Sequence, residues 1–214
     1  MHKTRQLMPK TWALRKKGKK YISADGNSKT IPLFVVMRDM IKNSNDRRDA
    51  KKMIKEKDIR INNKKVHDNK FPVRFGDIIQ IENKTYILRL GENRKLQVKE
   101  IKEKQNKIVL KVINKKIRRD GNVQINCLHG KNYLVQDKES KKINVGDSII
   151  INLDNKKIDE IIKLEEGEKV FVMAGKHTGK RGIVKKMDIE RKSAEIKTED
   201  GEINILLKYL MVEK

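Results

Sequence analysis

The stretch "MAGKHTGKRG", residues 173–182, carries residue types that suit phosphate binding: three glycines, three cations and a threonine. A Walker A loop places four residues between its glycines, then Lys and then Ser or Thr, so that amides surround a phosphate and a hydroxyl reaches magnesium. Here three residues separate Gly175 from Gly179, and Arg181 follows Lys180. The sequence after the loop alternates like strands and predicts no helix. Spacing, chemistry and context therefore exclude a nucleotide site.

The charge of the whole chain favours a polyanionic partner. The 214 residues include 53 Lys or Arg and 29 Asp or Glu, which gives a net charge of +24. Such an excess attracts nucleic acid most often and an anionic membrane surface less often. No apolar run approaches the ~20 residues of a spanning helix, and the N-terminus lacks the apolar stretch of a signal peptide. The single cysteine, Cys127, excludes a disulfide framework and fits a reducing cytoplasm.

Residues 1–20 form a basic arm that contains eight Lys or Arg and no Asp or Glu. One interpretation is a disordered, solvated tail, which is the usual fate of such runs. The other is an arm that becomes ordered on RNA. Trp12, the only tryptophan, favours the second, because a free tail gains nothing by exposing it, whereas an RNA base offers a surface for stacking.

Two helices are predicted after the arm. "TIPLFVVMRDMIK" (30–42) is apolar nearly all round and predicts a short, mostly buried helix, with a strand as the alternative. "DRRDAKKMIKEKD" (46–58) predicts an amphipathic helix capped by Asp46, with Ala50, Met53 and Ile54 on its apolar side. Its cations share the opposite face, either as a solvated surface or as an RNA contact: Arg47, Arg48, Lys51, Lys52 and Lys55.

The remainder of the sequence predicts strands. "IRINNKKV" (59–66) indicates a hairpin with an Asn-Asn turn, because asparagine tolerates the positive φ that tight turns need. From about residue 85 the pattern is strand after strand. A glycine followed by an acid precedes three strands, at 75–81, 145–151 and 167–173, which indicates shared turn chemistry in three small modules. Residues 166–214 predict five short strands and an SH3-like barrel. The fold class is therefore α+β and β-rich.

Three segments together resemble a known family. "RRDAKKMIKEKDIRINNKKVHDNKFPVRFGDIIQI" resembles the S-four RNA-binding module, and "KVFVMAGKHTGKRGIV" resembles the KOW motif. The N-terminal segment is similar to the opening of one ribosomal family, through His2, Lys3, Arg5, Pro9, Lys10 and Trp12. Along the chain the order is basic arm, S-four module, β-rich centre and KOW module, and this order resembles the e-type S-four family of archaeal and eukaryotic small-subunit ribosomal proteins. The asparagine-rich hairpin stands where relatives often have a glycine-containing turn. The short chain favours an archaeal or reduced genome.

The resemblance implies a structural protein of the cytoplasmic ribosome that binds small-subunit ribosomal RNA beside neighbouring ribosomal proteins. It implies no catalysis, cofactor, metal, membrane or small-molecule substrate. The expected division is a basic arm and short helix (1–40), an S-four-like module (41–92), a central β-rich domain (93–165) and a KOW barrel (166–214). The expected RNA-binding residues are Lys3, Arg5, Lys10, Trp12, Arg15, Lys16, Lys17, Arg47, Arg48, Lys51, Lys52, Lys55, Lys64, Lys65, Lys176, His177, Lys180 and Arg181.

Two other functions remain open at this point. S-four modules also accompany RNA-modifying enzymes, but those need a separate catalytic domain that this chain has no room for. A KOW barrel can also bind protein, which would make the chain an adaptor outside the ribosome. The histidines His2, His67, His129 and His177 are scattered and predict surface or loop roles, and Cys127 predicts a core thiol.

Overall fold

The computed structural model describes residues 3–18, 20–23, 30–101 and 105–213, with only the backbone of Lys3 and Ser23. The chain forms two compact units, Met1–Asn106 and Lys107–Lys214. Both are rich in antiparallel strands and carry few helices, so the β-rich α+β class is confirmed. No helix in the described ranges is long and apolar enough to span a membrane.

Unit 1 is built on a five-stranded antiparallel sheet in the order β5-β4-β7-β8-β9, with two small strand pairs, β1-β2 and β3-β6. Its helices are α1 (Leu33–Val35), which continues into a π-helix (Val36–Ile41), and α2 (Arg47–Glu56). Its strands are β1 (Lys3–Thr4), β2 (Tyr21–Ser23), β3 (Ile31–Pro32), β4 (Ile59–Ile61), β5 (Lys64–Lys65), β6 (Pro72–Val73), β7 (Ile78–Ile81), β8 (Lys84–Leu90) and β9 (Leu96–Ile101).

The apolar stretch at 30–42 forms both of the structures predicted for it. Ile31 and Pro32 are extended and pair with β6, and the chain then turns into α1 and the π-helix. Pro32 therefore lies one residue before the helix and not in its first turn. Residues 33–37 are almost entirely buried, as their apolar character predicts. The π-helix ends at Lys42, which adopts a left-handed φ of 60°.

Unit 2 contains two five-stranded antiparallel sheets, in the orders β12-β11-β10-β13-β14 and β18-β17-β16-β15-β19. The first is formed by β10 (Lys107–Ile117), β11 (Val123–Cys127), β12 (Asn132–Val135), β13 (Ser148–Asn152) and β14 (Ile158–Ile162), with a short helix α3 (Asp137–Ser140). The second is formed by β15 (Lys169–Val172), β16 (Arg181–Asp188), β17 (Ser193–Thr198), β18 (Gly201–Leu206) and β19 (Leu210–Val212), with a 3-10 turn at Leu207–Tyr209 before β19. Another 3-10 turn, at Leu128–Gly130, follows β11 of the first sheet.

The three glycine-acid turns share one hydrogen-bond arrangement. Each glycine has a positive φ, of 80° at Gly76, 106° at Gly146 and 90° at Gly167. Its N–H donates to the carbonyl of a strand residue, whose own N–H donates back to the carbonyl of the acid; these strand residues are Leu88, Val112 and Val184. The carboxylates of Asp77 and Asp147 also accept from the N–H of Arg74 (2.8 Å) and Asn144 (2.7 Å). The predicted turn chemistry is confirmed at these two sites.

The two sheets of unit 2 are joined by a buried lysine and a buried serine. Lys111 is 4% exposed, and its Nζ donates to the carbonyl oxygens of Leu207 (2.6 Å) and Leu210. The hydroxyl of Ser148 accepts from the N–H of Val212 at 3.0 Å. Burial lowers the pKa of Lys111 to about 8, because the low-dielectric interior disfavours its charged form.

Candidate nucleic-acid interface

Helix α2 separates its cations from its apolar residues as predicted. Ala50 and Ile54 are fully buried and Met53 is partly buried. The five predicted cations are all exposed on the other side: Arg47, Arg48, Lys51, Lys52 and Lys55. Such a face follows a phosphate backbone well, because positions three and four residues apart are neighbours along a helix.

The cap predicted for this helix is different in the structure. Asp46 occupies the N-cap position with an extended backbone, but its side chain makes no capping hydrogen bond. The carboxylate of Asp49 reaches back instead and accepts from the N–H of Asn45 at 3.2 Å. An acid in the first turn also interacts well with the positive end of the helix dipole, so Asp49 stabilises the start of α2. Its hydrogen bond goes to a residue before the helix, however, and is not the cap predicted for Asp46.

Three of the lysines line an open cleft together with the loop that follows β5. The cleft is lined by Lys51, Lys52 and Lys55 of α2 and by His67, Asp68 and Asn69 of the loop. The carbonyl of Asn69 accepts from the N–H of Phe34 at 3.1 Å, which holds the loop in place. The sequence alone did not indicate that this loop belongs to the site, because only the tertiary fold brings it beside α2.

Arg47 has a structural role as well as an exposed surface. Its guanidinium lies 5.0 Å from the centre of the Phe34 ring, and Phe34 is 1% exposed. A cation over an aromatic face contributes about 0.5–1 kcal/mol at a site of this kind. Arg47 is therefore held by packing against Phe34. Lys51 lies one turn further on, and no contact of this kind is seen for it in the part of the chain that the structure describes.

The predicted hairpin is present, and its turn type is now defined. Asn62 and Asn63 have φ of 51° and 61°, the positive pair that a two-residue type I′ turn requires. Asn62 accepts from the N–H of Ile78 at 3.0 Å and donates to the carboxylate of Asp77 at 2.7 Å. The hairpin is thus fastened to the first glycine-acid turn without a glycine of its own.

The hairpin also presents the two lysines expected to bind RNA. Lys64 and Lys65 are exposed on β5, the edge strand of the sheet. Lys65 lies 3.6 Å from Asp58, which also pairs with Arg60 at 3.0 Å. The hydrogen bond from Arg60 is the main reason that the pKa of Asp58 is lowered.

The structure of the basic arm contradicts the prediction that Trp12 is available for stacking on RNA. Trp12 is 2% exposed, so it is a core residue of unit 1 and has no free face for stacking on an RNA base. The arm is tied to the sheet beside it, because the N–H of Leu96 donates to the carbonyl of Thr11 at 2.7 Å. Burying the largest apolar side chain in the chain stabilises the folded arm, which is the physical reason that it is not a free tail.

The cations of the arm are divided between two roles. Arg5 is half-buried and donates from Nη1 to the carbonyl of Arg15 at 2.6 Å, so it braces the arm. Lys10, Arg15, Lys16 and Lys17 are exposed and face solvent. His2 and the side chain of Lys3 lie outside the described residues.

The loop at 173–182 joins β15 to β16, so a strand and not a helix follows it. The prediction that no helix follows this loop is confirmed, whereas a Walker A loop leads into a helix. Gly175 and Gly179 have positive φ of 97° and 93°. Gly182 has an ordinary φ, but a Cβ there would collide with the carbonyl oxygen of Lys197 and with Ile196. Gly179 therefore supplies a backbone angle, and Gly182 permits a close approach of the neighbouring strand.

The cations of this loop differ in how they are held. Lys176 is exposed and His177 is half-buried. Lys180 lies 2.6 Å from Asp200, and its hydrogen bond is the main cause of the lowered pKa of that carboxyl. Arg181 lies 2.8 Å from Glu213 and 5.7 Å from the centre of the Phe171 ring.

The described residues offer no metal site built from three or more His, Cys, Asp or Glu side chains. Cys127 is 2% exposed, as a core thiol should be. Burial raises its pKa to about 12, which keeps it protonated and unreactive at neutral pH. What the described surface offers is positive charge in several places, and this suits a polyanion.

Comparison with known proteins identifies the family. Residues 82–158 match the model described as Ribosomal family S4e, and residues 41–79 match the S4 domain. The small ribosomal subunit protein eS4 of Thermoplasma volcanium is 31% identical over 77% of this chain and 69% of its own length.

The chain belongs to the ribosomal S4e family. A second S4e relative, from Archaeoglobus fulgidus, is 29% identical over 99% of this chain and 92% of its own length. The crystal structure of the 30S ribosomal protein S4e from Thermoplasma acidophilum superposes on this chain with a TM-score of 0.74 and a sequence identity of 26%. The superposition covers 87% of this chain and 95% of the Thermoplasma acidophilum chain. The resemblance stated from the sequence is therefore confirmed over nearly the whole chain.

Proposed function

We propose that this protein is a structural constituent of the small ribosomal subunit in the cytoplasm, where it binds ribosomal RNA and supports subunit assembly and translation. The observation that carries the proposal is membership of the ribosomal S4e family over nearly the full chain. The net charge of +24 and the exposed basic face of α2 agree with it. Neighbouring ribosomal proteins are its other partners.

The main RNA contact is the surface formed by α2, the cleft beside it and the hairpin. Lys51, Lys52 and Lys55 provide positive charge on one side, and Lys64 and Lys65 extend it along the sheet edge. Aromatic residues are 4% of the chain, and the only tryptophan is buried. Recognition therefore depends on phosphate contacts and on RNA shape more than on base stacking. The exposed arm cations add to the same electrostatic attraction.

The C-terminal part, 166–214, is an SH3-like barrel of the KOW type, and its loop at 173–182 contacts RNA phosphates. Its five antiparallel strands, its 3-10 turn before the last strand and its apolar core around Val170, Val172 and Val184 support this reading. Exposed ion pairs are weak because solvent screens them, so phosphates can replace Asp200 and Glu213 as partners of Lys180 and Arg181. The four-part division at residues 40, 92 and 165 belongs to the same proposal.

The experiment that tests the proposal measures binding to a transcribed small-subunit ribosomal RNA at several salt concentrations. The test variant replaces Lys51, Lys52 and Lys55 with Gln. The matched control replaces three exposed lysines of unit 2, Lys138, Lys142 and Lys156, with Gln. Each lost phosphate contact flattens the plot of log affinity against log salt by about 0.7–0.9. The α2 variant should lose affinity and slope, and the control should lose much less; equal losses would leave only nonspecific charge attraction.

The loop contact is tested separately within the C-terminal part. Lys176→Gln should weaken RNA binding and flatten the salt dependence, whereas Lys192→Gln, at an exposed turn of the same sheet, should not. The melting temperature should not move in either variant. An unchanged affinity of the Lys176→Gln variant for RNA would mean that the loop is only a structural turn and does not contact RNA.

The protein acts without catalysis in this proposal. Purified protein should not isomerise uridine in ribosomal RNA, and ATP or GTP should not shift its melting temperature. Turnover or a nucleotide-dependent shift would point to one of the enzymatic alternatives.

A further inference from the structure

The outer face of β10, β11 and β12 is a polar surface that no RNA-binding prediction included. The strand register places residues in transverse rows across the three strands. One row is Asn114, Asn126 and Asn132, and the next is Lys116, Gln124 and Leu134. The N–H of Arg118 donates to the carbonyl of Asn122 at 2.9 Å, which continues the ladder into a third row. None of these eight residues is an acid.

A β-bulge in β10 determines which of its residues lie on this face. The register of β10 against β11 shifts between Val112 and Asn114, which leaves Ile113 as the extra residue. Such a bulge changes the alternation of the strand, so that the following residues are redirected. Asn114 and Lys116 consequently share a face with the half-buried Asn126 and Gln124, while Val112 shares the inner side with the buried Cys127.

The opposite face is occupied by the protein itself. Lys115 lies between Asn114 and Lys116, and its Nζ donates to the carbonyls of Ser140 and Ile143, both at 2.6 Å. Ile125, its partner on β11, is fully buried. The two faces of the strands therefore differ: one is packed against α3 and the segment after it, and the other carries amides and cations at exposed or half-exposed positions.

The chemistry of the outer face selects its partner. Asn and Gln side chains both donate and accept hydrogen bonds, which matches ribose 2′-hydroxyls and base edges. The minor groove of an RNA double helix is wide and shallow, so the exposed face of a few strands can approach it. The three rows and three strands span roughly 14 by 10 Å, from the usual spacing of residues and strands. Lys116, Arg118 and Arg119 lie toward the hairpin end, where their charge suits the phosphates that flank such a groove.

Two further residues affect this face. Leu134 is 57% exposed at the end of the second row and offers an apolar contact to a ribose ring. Asp120 lies at the hairpin tip, where its carboxylate accepts from the N–H of Asn122 at 3.2 Å. This hydrogen bond is the main cause of its lowered pKa, and Arg118 contributes its positive charge. The cations at the tip outnumber this acid, so the charge there favours a polyanion.

We propose that the outer face of β10, β11 and β12 is a second RNA-binding surface, which docks into the minor groove of a ribosomal RNA helix. The amides of Asn126, Asn132 and Gln124 contact the sugar edges, and Lys116, Arg118 and Arg119 contact phosphates. This inference rests on the proposed function, because it names a further surface for the same RNA.

The first test uses charge-matched asparagine variants of the full protein. Asn126→Asp with Asn132→Asp removes two amide donors and places two negative charges on the face. The new carboxylate on β11 would still accept the hydrogen bond from Gln124 that Asn126 now accepts at 2.7 Å. The control, Asn155→Asp with Asn204→Asp, makes the same charge change at exposed positions elsewhere in unit 2. The face variant should bind small-subunit ribosomal RNA about tenfold more weakly than the control.

The second test uses the unchanged protein and RNA alone. Acetylation of lysines, followed by mass spectrometry, should be slower at Lys116 when RNA is bound, while the exposed Lys138 on α3 should react as before. A protein partner on this face would leave Lys116 reactive in this experiment. Equal affinities of the two double variants, or a Lys116 that RNA does not protect, would overturn the inference. Failure of the unchanged protein to bind the RNA at all would instead overturn the proposed function.

Discussion

At the residue scale, the glycines of the loop at 173–182 show how one residue type serves two different needs. Gly175 and Gly179 are glycines because of a positive φ, at which other residues are strained. Gly182 is a glycine because a Cβ at this position would collide with the backbone of β17. The sequence shows three equivalent glycines, and only the register of β16 against β17 separates them.

Gly182→Ala should therefore destabilise unit 2 more than Gly175→Ala. The Cβ at position 182 meets backbone, which cannot rotate away, so a loss of about 3 kcal/mol is expected. At position 175 the nearest atoms, in the Tyr209 ring, are 3.6 Å from the added Cβ, and only the left-handed strain of about 1 kcal/mol remains. Urea unfolding followed by labelling of Cys127 reports on unit 2. Similar losses in both variants would contradict the close approach.

Cys127 provides a second prediction at this scale. Since its pKa is raised to about 12, roughly one thiol in ten thousand is ionised at pH 8. A disulfide reagent should therefore react with the native protein far more slowly than with the protein in urea. Fast reaction of the native protein would show that β11 opens readily, since Cys127 is otherwise shielded.

At the element scale, the first hairpin depends on a side chain as much as on its turn. Asn62 and Asn63 have the same backbone handedness, but Asn62 makes two short hydrogen bonds, to Ile78 and Asp77. Asn63 accepts a longer hydrogen bond of 3.3 Å from Gln80. The hairpin and the glycine-acid turn are thus one connected element, which positions Lys64 and Lys65.

Asn62→Gly should cost about 2 kcal/mol of stability, because the N–H of Ile78 and the buried carboxylate of Asp77 lose a partner. Asn63→Gly is the matched control and should change stability by less than about 0.5 kcal/mol, since glycine accepts the same positive φ. Trp12, the only tryptophan, reports on unit 1, so its fluorescence during urea unfolding measures both variants. An equal cost for the two changes would mean that the Asn62 side chain contributes no more to stability than the Asn63 side chain does.

At the scale of the whole molecule, Lys111 connects the two sheets of unit 2 at a cost. Its charged form is disfavoured by burial, so its pKa falls to about 8 in the folded protein, against 10.5 for the unshifted side chain. Between these values the unfolded chain binds more protons than the folded one. The penalty of burying the charge is complete below pH 8 and disappears above pH 10.5, so this group makes the protein more stable as the pH rises.

Lys111→Met isolates this contribution. The difference in unfolding free energy between the unchanged protein and the variant should grow by up to about 3 kcal/mol in favour of the unchanged protein from pH 7.5 to 10.5. Urea unfolding followed by circular dichroism at each pH measures it. The raised pKa of Cys127 acts in the opposite direction above pH 9, but it is present in both proteins and cancels. A difference that is flat with pH would show that Lys111 is not charged and buried as described.

The family was indicated by a resemblance, in the order of the motifs along the sequence. The sequence by itself also determined the β-rich class, the polar and apolar sides of α2, and the glycine-acid turns. These depend on local rules: helical periodicity, strand alternation, and the residues that tolerate a positive φ. Charge and motif order were enough to predict RNA as a partner, because electrostatic attraction depends on composition more than on exact geometry.

The tertiary structure alone decided which side chains are available to act. It buried Trp12, gave Arg47 an aromatic partner, placed the His67 loop beside α2 and gave Gly179 and Gly182 different roles. It also formed the asparagine rows of β10, β11 and β12 from residues up to 18 positions apart. The physical reason is the same in each case: burial and cross-strand contact depend on residues distant in sequence, and a single β-bulge changes which face a side chain occupies.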